Sequence, residues 1–168
     1  GNWAAVNNGL SNLNIKTIAI SGSNIFAGSQ YGAGGIFLST NNGGSWINAG
    51  SLNESVFSLA ISASNIFAGT MDGGVFLSTN NGGNWSAVNN GLSNLRIWSL
   101  AVSGNNIFAG INSGIFVSSD NGGNWNIAGL RNQSVYSLVV SGNNLFAGAS
   151  ANNSLSYESG VFLSTNNG

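Results

Sequence analysis

The sequence predicts an all-β fold, a β-propeller built from four-stranded antiparallel blades. About four blades fit in the 168 residues, as part or half of a larger ring or array. Three observations point there. The phrase N-I-F-A-G stands at residues 24–28, 65–69 and 106–110 and returns as N-L-F-A-G at 144–148. A period of about 40 residues marks a stacked supersecondary unit that cannot bury its apolar faces alone. Short apolar/polar alternations recur every ~8–12 residues between clusters of Gly, Asn and Ser, as in antiparallel strands joined by turns. Helical spacing of apolar residues is missing throughout.

Each unit reads as four strands. The first is an alternating segment, at 15–21, 56–62, 97–103 and 135–141. A Ser-Gly-Asn type turn leads into the N-I-F-A-G strand, and a Gly-rich connection leads on to an I-F-L-S strand at 36–39, 75–78, 115–118 and 161–164. The fourth strand begins at a tryptophan: Trp3, Trp46, Trp85 or Trp125. Four strands in ~40 residues is the size of one blade, and hairpin-length turns favour a propeller over a β-solenoid of parallel coils. The blade-like repeats fall at about 1–43, 44–82, 83–122 and 123–168. A long connection, A-V-N-N-G-L-S-N-L, occurs at 5–13 and 87–95, with shorter ones at 50–55 and 129–134. The true period is therefore expected to be a pair of units.

Composition narrows the partners. Only Lys16, Arg96, Arg131, Glu54, Asp72, Asp120 and Glu158 carry charge. Three cations cannot build a phosphate-binding stripe or a patch for anionic lipid, so neither nucleic acid nor membrane insertion is expected. No apolar run approaches the ~20 residues that span a bilayer. With 42% hydrophobic residues in strict alternation, the low charge does not signal disorder. Cysteine and histidine are absent, so disulfides and thiolate or imidazole chemistry are not expected. The chain starts and stops inside a repeat, which suggests a processed product or a window on something longer.

The turn before the fourth strand is the most regular motif. Ser39-Thr40-Asn41-Asn42-Gly43-Gly44-Ser45-Trp46 recurs at 78–85 and 118–125. An Asn or Asp side chain can accept backbone N–H bonds across its own turn, Gly supplies positive φ, and Trp is expected to fold back over the hairpin. The motif resembles the Asp-box, or BNR repeat, S-x-D-x-G-x-T-W of sialidase-like and sortilin-like propellers. The matching positions are Ser39, Asn41, Gly43 and Trp46; Ser78, Asn80, Gly82 and Trp85; and Ser118, Asp120, Gly122 and Trp125. Only Asp120 is acidic, with Asn41, Asn80 and Asn166 in its place elsewhere. The resemblance implies a structural role at the blade periphery. A lone Asp among Asn and Gly is a turn residue and not a calcium ligand, so no metal and no cofactor are expected.

Residues 164–168 form the front half of a box and residues 1–3 the back half. Joined head to tail they complete it. One chain could close on itself, two chains could form an eight-bladed ring, or the segment could belong to a longer array. Heterologous contacts that do not close give a filament.

Candidate contact residues lie on one loop face, where the connections vary in length and chemistry. They are Arg96, Arg131, Tyr31 and Tyr157. One equivalent position near the start of the inner strand holds Lys16, Phe57, Trp98 and Tyr136. Such a row can stack on sugar rings, but alternation places it beside Ile18, Leu59, Leu100 and Leu138, where packing between blades is the expected role. The sialidase arginine triad cannot be built from two arginines, and Glu54, Asp72 and Glu158 are read as belonging to different blades. No catalytic residue is assigned, and the chain is expected not to be an enzyme. Two roles remain. One is an extracellular or cell-surface bacterial scaffold that self-associates as a ring or filament or continues in a longer chain. The other is a lectin- or adhesin-like module for glycan or protein.

Overall fold

The computed structural model describes residues 1–30, 35–50, 52–151, 158–166 and 168, and every regular element among them is a β-strand. The first blade holds β1 (Ile15–Ser21), β2 (Asn24–Ser29), β3 (Gly35–Ser39) and β4 (Ile47–Asn48). The second holds β5 (Val56–Ser62), β6 (Asn65–Thr70), β7 (Val75–Ser78) and β8 (Ser86–Ala87). The third holds β9 (Ile97–Ser103), β10 (Asn106–Ile111), β11 (Gly114–Ser118) and β12 (Asn126–Gly129). The fourth holds β13 (Gln133–Ser141), β14 (Asn144–Ala151) and β15 (Gly160–Ser164), three strands among the described residues. Sequential strands pair antiparallel in every blade.

Period-2 alternation decides which side chain meets which neighbouring blade. On β10, Ile107, Ala109 and Ile111 join Phe67 and Val75 in the core between the second and third blades. Phe108 points the other way, into a core with Val135 and Leu145 of the fourth. Phe26 and Phe67, which match Phe108 in the repeat, are likewise fully buried against the following blade. The glycine of N-I-F-A-G lets that blade approach. A β-carbon on Gly69 would stand 2.6 Å from Ile97 Cγ2, and one on Gly28 would stand 2.6 Å from Val56 Cγ1.

Hydroxyls reinforce the same joints. The Leu59 N–H donates to Thr17 Oγ1 at 3.2 Å, the Leu100 N–H to Ser58 Oγ at 2.8 Å and the Leu138 N–H to Ser99 Oγ at 2.9 Å. One contact is thus repeated across three successive joints.

The two ends of the array differ from its interior. Ile18 and Ile20 on β1 are 63% and 65% exposed, whereas Leu59, which matches Ile18, is 8% exposed. On the last blade Val161 and Leu163 are 81% and 54% exposed, although Ile36 and Val75, which match Val161, are fully buried. Residues 1–6 form no strand, and Trp3 is fully exposed. The single-chain closure considered from the split motif is therefore not the arrangement seen here.

Candidate binding face

The three complete turns share one geometry. The Ser39 hydroxyl donates to Asn41 Oδ1 at 2.9 Å and accepts the Gly43 N–H at 2.9 Å, while Asn41 Oδ1 also accepts the Ser45 N–H at 2.9 Å. The Gly44 N–H reaches back to the Asn41 carbonyl, and Asn42 and Gly43 both have positive φ, 55° and 82°. Positive φ at both central residues is the type I′ hairpin turn, which Asn-Gly favours. Ser78, Asn80 and Gly82 repeat the pattern, as do Ser118, Asp120 and Gly122. Hydrogen bonds from the Asn124 side chain and backbone, and from the Ser118 hydroxyl, pull the Asp120 carboxyl down to about 2. The cause is local hydrogen bonding to an exposed carboxylate.

Trp46 does lie over its own turn, its ring 3.9 Å from where a β-carbon on Gly43 would stand, and the indole N–H groups reach further, into the preceding repeat. Trp46 Nε1 donates to the Val6 carbonyl at 2.7 Å, Trp85 Nε1 to Ala49 at 2.9 Å and Trp125 Nε1 to Val88 at 2.7 Å. The acceptor each time lies three residues after the preceding repeat's tryptophan, so Trp85 and Trp125 staple their blades to the one before and Trp46 ties the first blade to the N-terminal segment. The long A-V-N-N-G-L connection fits beneath the staple. Its Gly9 and Gly91 have φ of 91° and 93° and press against the Trp46 and Trp125 carbonyls, where no β-carbon could stand.

The aromatic row is brought together on the inner strands, but in a manner alternation could not show. Lys16, Phe57, Trp98 and Tyr136 each occupy the extra residue of a β-bulge, opposite β2, β6, β10 and β14 respectively. A bulge re-aims its side chain, so these residues escape the inward set that includes Leu59 and Leu100. Phe57 and Trp98 stack with centroids 5.4 Å apart at 19°, and Tyr136 tilts against Trp98 at 5.4 Å and 56°. Phe57 and Trp98 are half-buried, while Lys16 and Tyr136 are exposed. The rings thus pack on one another from blade to blade, as expected, while leaving a partly open aromatic ladder.

Polar groups frame it. The Arg96 guanidinium lies 5.8 Å from the Trp98 ring centroid and pairs with Asp72 Oδ1 at 3.1 Å. Trp98 Nε1 donates to Asn112 Oδ1 at 2.7 Å. Asp72, Asn94, Leu95, Arg96 and Asn112 line a cleft of about 310 Å³. Arg131 lines a different one, with Ser93, Ser113 and Asn132. Tyr31 and Tyr157 lie outside the described residues. Asn112 was not foreseen. It sits in the tight β10–β11 turn, the one second-to-third connection too short to resemble the others.

No family model matches the chain, and no curated protein matches it. Solved structures do. The GH74 xyloglucanase from Xanthomonas campestris superposes with a TM-score of 0.72 at 14% identity, over 91% of this chain and 29% of that enzyme. The computationally designed protein Ika4 matches with a TM-score of 0.69 at 21% identity, over 92% of each chain. YCF48 bound to D1 peptide matches at 0.68 and 13%, over 84% of this chain and 50% of that one. The fold is a β-propeller, and the chain spans about a quarter of the length of the GH74 enzymes it matches.

These neighbours correct one expectation. Scarcity of ionisable groups led to the reading that the chain is not an enzyme, yet its propeller is shared with glycoside hydrolases, which overturns that exclusion. A premise behind it fails as well. Glu54 and Asp72 were placed on different blades. The Glu54 carboxyl carbon in fact lies 3.0 Å from where a β-carbon on Gly73 would stand, next in sequence to Asp72. Two carboxylates therefore share one rim.

Proposed function

We propose that the chain is a structural repeat module of the Asp-box type that self-associates through its open blades, displayed outside a bacterial cell. The observation that supports this reading is the contrast between interior and end faces. Ile18 and Ile20 at one end, and Val161 and Leu163 at the other, are exposed at positions where the inner joints bury or half-bury their counterparts. Burying one such side chain contributes roughly 1.5–3 kcal/mol. The two faces carry the same contacts in complementary halves, so one copy can meet the next as one blade meets the next. A surface rich in Asn, Ser and Gly, with seven charges and no cysteine, suits an exported protein. Small-angle X-ray scattering on the chain tests it. Rings or filaments larger than one 17.0 kDa copy are expected, and a lone arc at every concentration refutes it.

The stacked ladder favours a second reading, a glycan- or protein-binding face. Aromatic faces beside Arg96, Asp72 and Asn112 combine a stacking platform with hydrogen-bonding groups at its rim. Titration with neutral glucan oligosaccharides should then show binding that Trp98→Ala removes. Absence of binding to sugars and peptides alike sinks this second role.

A further inference from the structure

We infer that residues 1–6 of a second copy complete the last blade as its fourth strand, with Trp3 of that copy seated in a cavity on the first. This rests on the self-association proposed above and names the segment and the seat.

The cavity, about 120 Å³, lies between the third and fourth blades, with Ile115, Ala128, Leu145, Ala147 and Phe162 in its apolar wall. The same place between the first and second blades is bounded by Ile36, Ala49, Ile66, Ala68 and Phe76, one for one in the repeat, and there Trp85 packs in. The acceptor is ready as well. Trp85 donates to the carbonyl of Ala49, whose counterpart is Ala128. A β-carbon on Gly50 would strike Trp85 at 2.9 Å, whereas one on Gly129 would meet nothing within 4 Å.

The front half of the missing turn is already folded around the seat. The Ser164 hydroxyl donates to Asn166 Oδ1 at 2.7 Å, and the Gly168 N–H donates to Ser164 Oγ at 2.8 Å, matching the complete turns. Gly168 also rests over Ala128 as Gly82 rests over Ala49; an added β-carbon would be 3.0 Å from the alanine methyl in both.

The second copy supplies the remainder. Trp3 is fully exposed, and Ala4 and Ala5 follow it as Ser86 and Ala87 follow Trp85. Ser86 and Ala87 pair with Leu77 and Phe76, so Ala4 and Ala5 of the incoming strand would pair with Leu163 and Phe162. Strand addition to an exposed edge draws affinity from main-chain hydrogen bonds and specificity from side-chain pockets. Two further contacts fall into place. Ile15 of the incoming copy meets Gly148 as Val56 meets Gly28, and its Ile18 N–H reaches Ser137 Oγ as Leu59 reaches Thr17.

The experiment is sedimentation equilibrium over a wide concentration range, with tryptophan emission recorded in parallel, on wild type, Trp3→Ala, Trp3→Phe and Ile18→Arg. Trp3 has no burial in the single copy, so its replacement leaves that copy folded, which circular dichroism verifies. Wild type should assemble with a blue shift in emission. Trp3→Ala should raise the assembly midpoint by roughly 30-fold or more, as loss of a buried aromatic anchor does. Trp3→Phe should fall between, since it keeps the apolar body and loses the N–H. Ile18→Arg should also block assembly. If wild type assembles and Trp3→Ala assembles at the same concentration, the seat is wrong, while loss of assembly in Ile18→Arg keeps self-association standing. If wild type stays at 17.0 kDa throughout, both fall.

Discussion

Asp120 and the asparagines in its place elsewhere make matching hydrogen bonds, with one difference that acid exposes. The Asp120 carboxyl titrates at about 2 in the folded protein against an ordinary 3.8. A depressed folded value means that its stabilisation is complete above the unfolded value and is lost as pH falls through the folded one. Wild type should therefore lose melting temperature relative to Asp120→Asn between about pH 4 and about pH 2, and the two should run parallel above that window. Equal acid sensitivity in both proteins would contradict the hydrogen-bonded turn. Trp125 is 3% exposed and bonded to Val88, so Trp125→Ala should cost about 3–5 kcal/mol by chemical denaturation. The turn chemistry was legible because Asn-Gly positions act locally. The destination of each indole was not, since it belongs to the preceding blade, about 40 residues upstream.

At the scale of the strand, alternation located β1, β5 and β9 at the segments read from sequence, while β13 starts earlier, at Gln133. The bulges are not legible in the sequence for a physical reason: an extra residue is defined by the partner strand's register, which no single strand encodes. The bulges leave the row packed from blade to blade yet open on one side. Tyr31 and Tyr157 remain outside the described residues, and what the structure adds to the candidate face is Asn112, which accepts the Trp98 indole N–H. The joints between blades give two stability predictions. Gly69→Ala forces a β-carbon to within 2.6 Å of Ile97 and should cost about 1–3 kcal/mol as overpacking does. Ser99→Ala leaves the Leu138 N–H without its acceptor at a half-buried joint and should cost about 1–3 kcal/mol. Denaturation midpoints measure both, and a neutral Gly69→Ala would mean that the blades are not this close.

Among the described residues the blades form a short one-dimensional array, each packed on the next, so stability is a sum of blades and joints. The repeat period made that organisation readable, because self-similarity reports units directly. Whether the array closes was not readable, since closure depends on the small angle between neighbouring blades and not on any local pattern. The end faces repeat the interior joints and are uncovered among the described residues. Sedimentation equilibrium of the unmodified chain tests this most directly. A mass that climbs with concentration in multiples of 17.0 kDa is the predicted result, and a single 17.0 kDa species up to the solubility limit would contradict it.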